Sequence, residues 1–242
     1  MIPRIRFNEF NGDWVLIKLD SLLEFKNGIN ASKEQYGTGV KFINVLDILN
    51  NDYLTNDRII GRVDVAPEII EKNKVSYGDI LFQRSSETRE DIGSACVYLD
   101  KEHSATFGGF VIRGKKIGDY NPVFFNKLLK TDLSRNEMKS KSGGSTRYNI
   151  GQDILSSIEL PFPSIDEQSK IATFLTSIDG KLNHLKKKKT LLEKYKKGMM
   201  QKIFTQEVRF RDEDKEFEKW IEIKLNKISK IYDGTHMTPT YV

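Results

Sequence analysis

Short runs of β-branched and aromatic residues alternate with turn-forming dipeptides through the first half of the chain. The runs are 14–19 (WVLIKL), 40–45 (VKFINV), 79–83 (DILFQ), 95–99 (ACVYL) and 109–113 (GFVIR), punctuated by Asn27-Gly28, Tyr77-Gly78 and Arg113-Gly114. This pattern predicts strands joined by turns, a β-rich domain of the α+β class. Asn121-Pro122 followed by Val123, Phe124, Phe125, Leu128 and Leu129 predicts a helix with proline in its first turn. A small polar loop over 140–149, with adjacent glycines at 143 and 144, follows it.

The pattern changes after the strand-like run at 158–160. Pro161-Phe162-Pro163 ends that run, and Ser164 stands three residues before Glu167, the spacing of a helix start in which the serine accepts from the Glu167 amide. From there apolar residues fall at Ile171, Leu175, Ile178, Leu182, Leu185, Leu192, Met199 and Ile203, in steps of four and three, with Lys189 and Lys196 at the two missing positions. A repeat of 3.5 residues sustained this long predicts a coiled-coil seam. A helix over 165 to 204 would be about 60 Å long, too long for a domain of this size to cover, so it is expected to project and pair with a second helix. Lysines 186–189, 194, 196, 197 and 202 make its central surface basic, either as a solvated face or as one turned to an acidic or polyanionic partner.

The opening of the chain returns near its end. Residues 14–28 (WVLIKLDSLLEFKNG) align without gaps to 220–234 (WIEIKLNKISKIYDG), an offset of 206, and Arg6-Phe7 recurs, with a gap, as Arg209-Phe210. The chain thus reads as one full unit, residues 1–160, its long helix, 161–206, and the start of a second, truncated unit, 207–242. The last segment lacks the rest of its unit and is expected to be loosely packed or borrowed by a neighbour.

Composition narrows the chemistry. The 242 residues carry 39 Lys and Arg against 34 Asp and Glu, a net charge of +5, with 38% apolar and 30% charged residues. That is the balance of a soluble globular protein. No apolar stretch reaches the 18 to 20 residues or so of a spanning helix, and the start carries no signal-peptide core, so a cytoplasmic protein without membrane attachment is expected. One cysteine, Cys96, excludes an internal disulfide and is expected to be a buried, inert thiol. His103, His184 and His236 are scattered, so no metal site is expected, and no cofactor. No paired carboxylates or nucleophilic triad stand at useful spacing, so no catalytic residue is expected.

The opening WxxIKL segment, residues 78–84 (GDILFQR), and the run 142–150 through 158–171 (IELPFPSIDEQSKI) into a heptad helix together resemble the specificity subunit of type I restriction-modification systems. The resemblance covers residues 9 to 234. It implies a DNA target-recognition domain followed by a conserved spacer helix. The family's two such helices pack antiparallel between DNA half-sites, while methyltransferase and restriction (translocase) subunits supply the chemistry. With one recognition domain and one helix, this chain departs from the full-length form. Two copies pairing through the seam would build a symmetric reader of a palindromic, bipartite site in double-stranded DNA.

Base reading needs side chains that reach base edges, with basic and hydroxyl groups on the phosphates. Two segments supply both: Gln83, Arg84, Ser85, Ser86 and Arg89, and then Lys139, Lys141, Ser142, Gly143, Gly144, Ser145, Thr146, Arg147 and Tyr148. Lys33, Arg58 and Arg62 are secondary candidates for phosphate contact. Two other function classes fit fragments of the sequence. The lysine-rich helix alone would suit a coiled-coil adaptor or a membrane-surface protein. Asn121-Pro-Val-Phe124 is partly similar to the catalytic loop of adenine methyltransferases, without its second proline or a surrounding βα series; Pro122 is better explained as a helix start.

Overall fold

The structure is a computed structural model that describes residues 5–144, 147–210 and 219–234. They fall into two compact units, 1–182 and 183–242. The first unit opens with β1 (Val15–Lys18), β2 (Leu23–Asn27), β3 (Tyr36–Ile43), α1 (Val45–Asn50), β4 (Arg62–Val63) and α2 (Pro67–Lys72). There follow β5 (Ile80–Gln83), β6 (Ser85–Ser86), β7 (Ala95–Val97), β8 (Thr106–Phe107) and β9 (Val111–Lys116). The unit continues through α3 (Pro122–Leu129), α4 (Asp132–Lys141), β10 (Tyr148–Asn149), α5 (Gln152–Ser156) and β11 (Glu159–Phe162) into α6 (Ile165–Phe204). This is the expected α+β arrangement, a β-rich region followed by a long helix.

A four-stranded antiparallel sheet in the order β2-β9-β5-β7 forms the centre. Its successive side chains alternate between two cores. Ile80, Phe82, Val97 and Ile112 pack with Phe124, Phe125 and Leu128 of α3, while Leu81, Cys96, Tyr98 and Val111 pack with Ile43, Ile48 and Phe107 on the other face. A strand covered on both faces has no polar side, which is why 80–82 reads as an unbroken apolar run. Beside it lies a smaller sheet, β4-β3-β8, with β3 antiparallel to β4 and parallel to β8. Cys96 is buried, as expected, and its thiol is pushed up to about 12, chiefly by desolvation.

Three local expectations are corrected. Arg113-Gly114 is not a turn: Gly114 lies inside β9 opposite Phe25 and Ile80, and a Cβ there would press on the Leu23 side chain. The glycine serves close packing against the strand beside it. Val45 does not extend a strand but opens α1, because Asn44 and Asp47 form a reciprocal capping box. The segment 140–149 is not one loop, since α4 runs to Lys141 and β10 takes Tyr148 and Asn149.

The chain's beginning is clasped onto the start of α6. β1 pairs antiparallel with β11, Val15 opposite Phe162 and Ile17 opposite Leu160, and the Leu19 amide donates to the Ile158 carbonyl at 2.9 Å. The Glu167 amide donates to Ser164 Oγ at 3.4 Å. The Glu167 carboxylate, 1% exposed, instead takes a two-pronged contact from Arg6, at 2.8 and 2.6 Å, and one from Trp14 Nε1 at 3.3 Å. Phe7 meets Phe174 edge to face, and Trp14 meets Phe124 in the same way. Lys127 of α3 pairs with Asp179 of α6 at 2.6 Å, and the Gln168 side chain accepts from the Asn121 amide. Among the described residues no helix is long and apolar enough to cross a membrane, and no group of three or more His, Cys, Asp or Glu could hold a metal ion.

In the second unit, 219–234 contains one regular element, a 3-10 turn at Leu225–Lys227. Trp220 stacks edge to face on Phe204, and the apolar residues from Ile221 to Tyr232 are exposed.

Candidate nucleic-acid interface

Two segments some sixty residues apart in sequence meet at one end of the sheet. β6 pairs antiparallel with β10, Ser86 opposite Tyr148 and Ser85 opposite Asn149. Ser85 Oγ donates to Asn149 Oδ1 at 2.6 Å, and the Ile150 amide donates to the Arg84 carbonyl at 3.0 Å. Gly143 and Asn149 exchange both backbone hydrogen bonds, at 3.0 and 2.8 Å, which closes the loop between α4 and β10 on itself. Gly144 stands in that loop at φ +117, a conformation that side chains resist, and a Cβ there would fall on the Arg147 carbonyl.

Arg84, Arg89, Gly143, Gly144 and Arg147 are exposed on this surface; Ser85, Lys139, Ser142 and Tyr148 are half-buried. Arg147 lies 3.7 Å from Glu87, with both side chains open to solvent. The Arg89 guanidinium reaches the Lys139 carbonyl at 3.4 Å, a second tie between the segments. Lys141 is turned aside: its ammonium donates to the Ser157 carbonyl and pairs with Glu137. Gln83 and Ser86 face inward. Gln83 is buried with its amide nitrogen on the Ser85 carbonyl at 2.9 Å, and Ser86 Oγ accepts from the Thr88 amide. Both shape the loop that presents Arg84 and Arg89. Ser145 and Thr146 lie outside the described residues.

Sequence reasoning passed over three groups here. Phe110 is 65% exposed, its carbonyl accepts from the Arg84 amide at 2.9 Å, and the Arg84 guanidinium donates to the Gly109 carbonyl at 3.3 Å. Asn149 side-chain atoms bond to Ser85 and to the Arg147 carbonyl. Arg135 of α4 donates to the carbonyls of Glu90 and Ile92, both at 2.7 Å, bracing the turn after β6. Burial pushes its guanidinium down, with Asp91 opposing. An exposed Phe next to two glycines was the one available signal among them.

The secondary candidates have local tasks. Arg58 stacks on Tyr53 at 4.0 Å from the ring centre, Arg62 donates to the Gly39 carbonyl, and Lys33 opens a 3-10 turn. Asn121 caps α3, its side chain accepting from the Val123 and Phe124 amides at 3.0 and 3.1 Å, and Gly109 packs against the Asn30 side chain. The capping by Asn121 accounts for the methyltransferase-like fragment at 121–124.

On α6, Ile171 and Leu175 line an apolar cavity of about 330 Å3 with Ile5, Phe7, Trp14 and Phe174, and Arg6 and Glu167 form its polar edge. Further along, Ile178, Leu182, Leu185 and Leu192 are 40 to 55% exposed, and Met199 and Ile203 are half-buried. Ile178, Leu182, Leu185 and Leu192 thus form an apolar stripe open to water.

The chain is similar to known proteins over most of its length. The MjaIX specificity subunit of a type I restriction enzyme from Methanocaldococcus jannaschii is 29% identical over 239 residues, covering 93% of this chain and 53% of that protein. The EcoKI specificity subunit of Escherichia coli K12 is 26% identical over 199 residues, 77% of this chain and 41% of that protein. The crystal structure of a type I restriction-modification S subunit from M. genitalium has the same fold, with a TM-score of 0.56 at 20% identity, covering 85% of this chain and 49% of that one. The chain spans about half the length of the curated relatives it matches. The family model of the type I restriction modification DNA specificity domain matches residues 11–194, and the chain belongs to that family.

Proposed function

We propose that this chain is a non-catalytic DNA-recognition subunit that reads one half-site with the surface joined by β6 and β10. Two copies pair through antiparallel α6 helices to read a bipartite, two-fold symmetric site in double-stranded DNA. In this reading the chain directs adenine-N6 methyltransferase subunits, and a restriction subunit where one assembles, to that site. The observation that carries it is the union of two polar, cation-bearing segments into one surface, on a unit whose outgoing helix has an open apolar seam.

Division of labour follows from the side chains. Arg84 and Arg147, exposed at either side of the β6–β10 ladder, have the bidentate geometry for guanine edges. Arg89 and Lys139 grip phosphates, and Ser142, Gly143 and Gly144 hold the backbone beside them in place. Tyr148 and Phe110 offer flat apolar surface to a base or sugar. Ser145 and Thr146 belong to the same segment by sequence, and Gln83, Ser85 and Ser86 hold the loop in shape. Residues Ile171, Leu175, Ile178, Leu182, Leu185, Leu192, Met199 and Ile203 form the pairing seam.

Selection of binding sites from a random duplex library by the purified chain, alone and with its methyltransferase subunit, tests this. A motif of two inverted half-sites is expected. Arg84→Ala or Arg147→Ala should relax one base position, at about 1–3 kcal/mol of discrimination each, whereas Arg89→Ala should weaken all sequences alike and flatten the salt dependence. Selection of no motif, with and without the partner subunit, would refute the reading.

A further inference from the structure

Among the described residues there is one clasp platform, and the sequence carries two copies of the segment that fits it. The platform is the Glu167 carboxylate, the Phe174 ring and the open edge of β11, and the first copy occupies it through Arg6, Phe7, Trp14 and β1. The second copy repeats those groups in the same order, as Arg209, Phe210, Trp220 and the Ile-Lys-Leu run 223–225. Its local backbone also matches. Leu19–Ser21 and Leu225–Lys227 are both 3-10 turns, flanked by Lys18 at φ −69, ψ 140 and by Lys224 at φ −61, ψ 134. The closing amides, of Leu22 and Ile228, each return to the turn's first carbonyl at 3.1 Å.

Along the chain, Arg209 and Phe210 follow the far end of the helix whose near end carries the platform. From 167 to 204 the backbone is continuous α-helix, a rise of about 55 Å, whereas the five residues from Phe204 to Arg209 extend at most about 18 Å. In an antiparallel helix pair the far end of one α6 lies beside the near end of the other. That step rests on the pairing proposed above. Arg209 of one copy then arrives next to Glu167 of its partner.

We propose that the second copy is an exchange clasp: Arg209, Phe210 and residues 220–225 of one protomer compete with residues 6–19 of the other for the platform at Glu167, Phe174 and β11. The two clasps offer like groups to one site, so the balance between them is set by tethering. The first is held by the chain entering β2, the second by the helix pair. Each protomer thereby contributes an arginine, a ring and a strand to the base of its partner's recognition domain, and pairing is coupled to the way that domain is seated on its helix.

The test uses the full chain with p-benzoylphenylalanine in place of Phe210, mixed one to one as ¹⁴N and ¹⁵N protein, irradiated, digested and read by mass spectrometry. Crosslinks are expected between unlike labels and onto the peptide that holds Phe174. Arg6→Ala, which weakens the resident clasp, should raise their yield several-fold, and Arg209→Ala should lower it several-fold. A dimer by light scattering whose crosslinks miss 158–178 would overturn the exchange while leaving helix pairing intact. A monomer would overturn both, and crosslinks confined to like labels would overturn the exchange alone.

Discussion

Leu19 and Leu225 hold the same place in two copies of one pattern, and each opens a 3-10 turn closed by a 3.1 Å hydrogen bond. Leu19 is fully buried against the α3–α5 side of the sheet, whereas Leu225 is 59% exposed. The turn therefore comes from the residues themselves, from a lysine in extended conformation followed by Leu-Asx, and it forms without a core. Burial comes from what surrounds the copy. β11, α3 and α5 enclose the first, whereas in the second Trp220 meets Phe204 edge to face while Ile221, Ile223, Leu225 and Ile228 stay exposed. A shared local pattern gives local shape, and tertiary partners decide whether that shape carries stability.

The strongest way to break the comparison is to truncate both leucines. Leu19→Ala should cost about 2–5 kcal/mol of unfolding free energy in urea, and Leu225→Ala less than about 0.5 kcal/mol. The closing glycines give the next contrast. A Cβ on Gly28 would fall on the carbonyls of Gly108 and Phe107, so Gly28→Ala should cost about 1–3 kcal/mol, while Gly234→Ala, with nothing within 4 Å, should stay within about 0.5 kcal/mol.

Cys96 supplies a probe of the first copy's environment alone. With its thiol pushed up to about 12 by burial, it should resist an aromatic disulfide reagent at pH 8 in the native protein. Leu19→Ala should speed the reaction in proportion to the extra opening, and Leu225→Ala should leave the rate unchanged. The smallest stability effect is expected from Leu182→Lys with Leu185→Lys. Both side chains are about half exposed, so unfolding of the first unit should shift by less than about 0.5 kcal/mol while the light-scattering mass falls from about twice 27.9 kDa to one chain. An unchanged mass would count against the seam.

Much of this fold is written in local pattern. The 3.5-residue repeat placed α6 at 165 to 204, its observed span, and Asn121-Pro122 placed α3, because long periodicity and capping are local properties. Helices α1, α2 and α5 have five or six residues, too few to show a period, and α4 buries only Ser134 and Met138. Asn126 is equally illegible: it is buried because its side chain bridges the Val97 amide and the Asp52 carbonyl, partners far away in sequence. At the candidate interface residue types nominated both segments, but their meeting depends on a ladder two residues long, which no pattern announces. Gln83 has the chemistry of a base reader and is spent inside the loop, a difference only the fold discloses.

The central claim is that two copies of this chain read a symmetric site and direct methylation there. The most direct measurement is a modified-base map of the source genome with the gene intact and with it deleted. The account predicts loss of N6-methyladenine at one bipartite motif whose halves are inverted repeats. An unchanged map, or loss confined to an asymmetric motif, would contradict it.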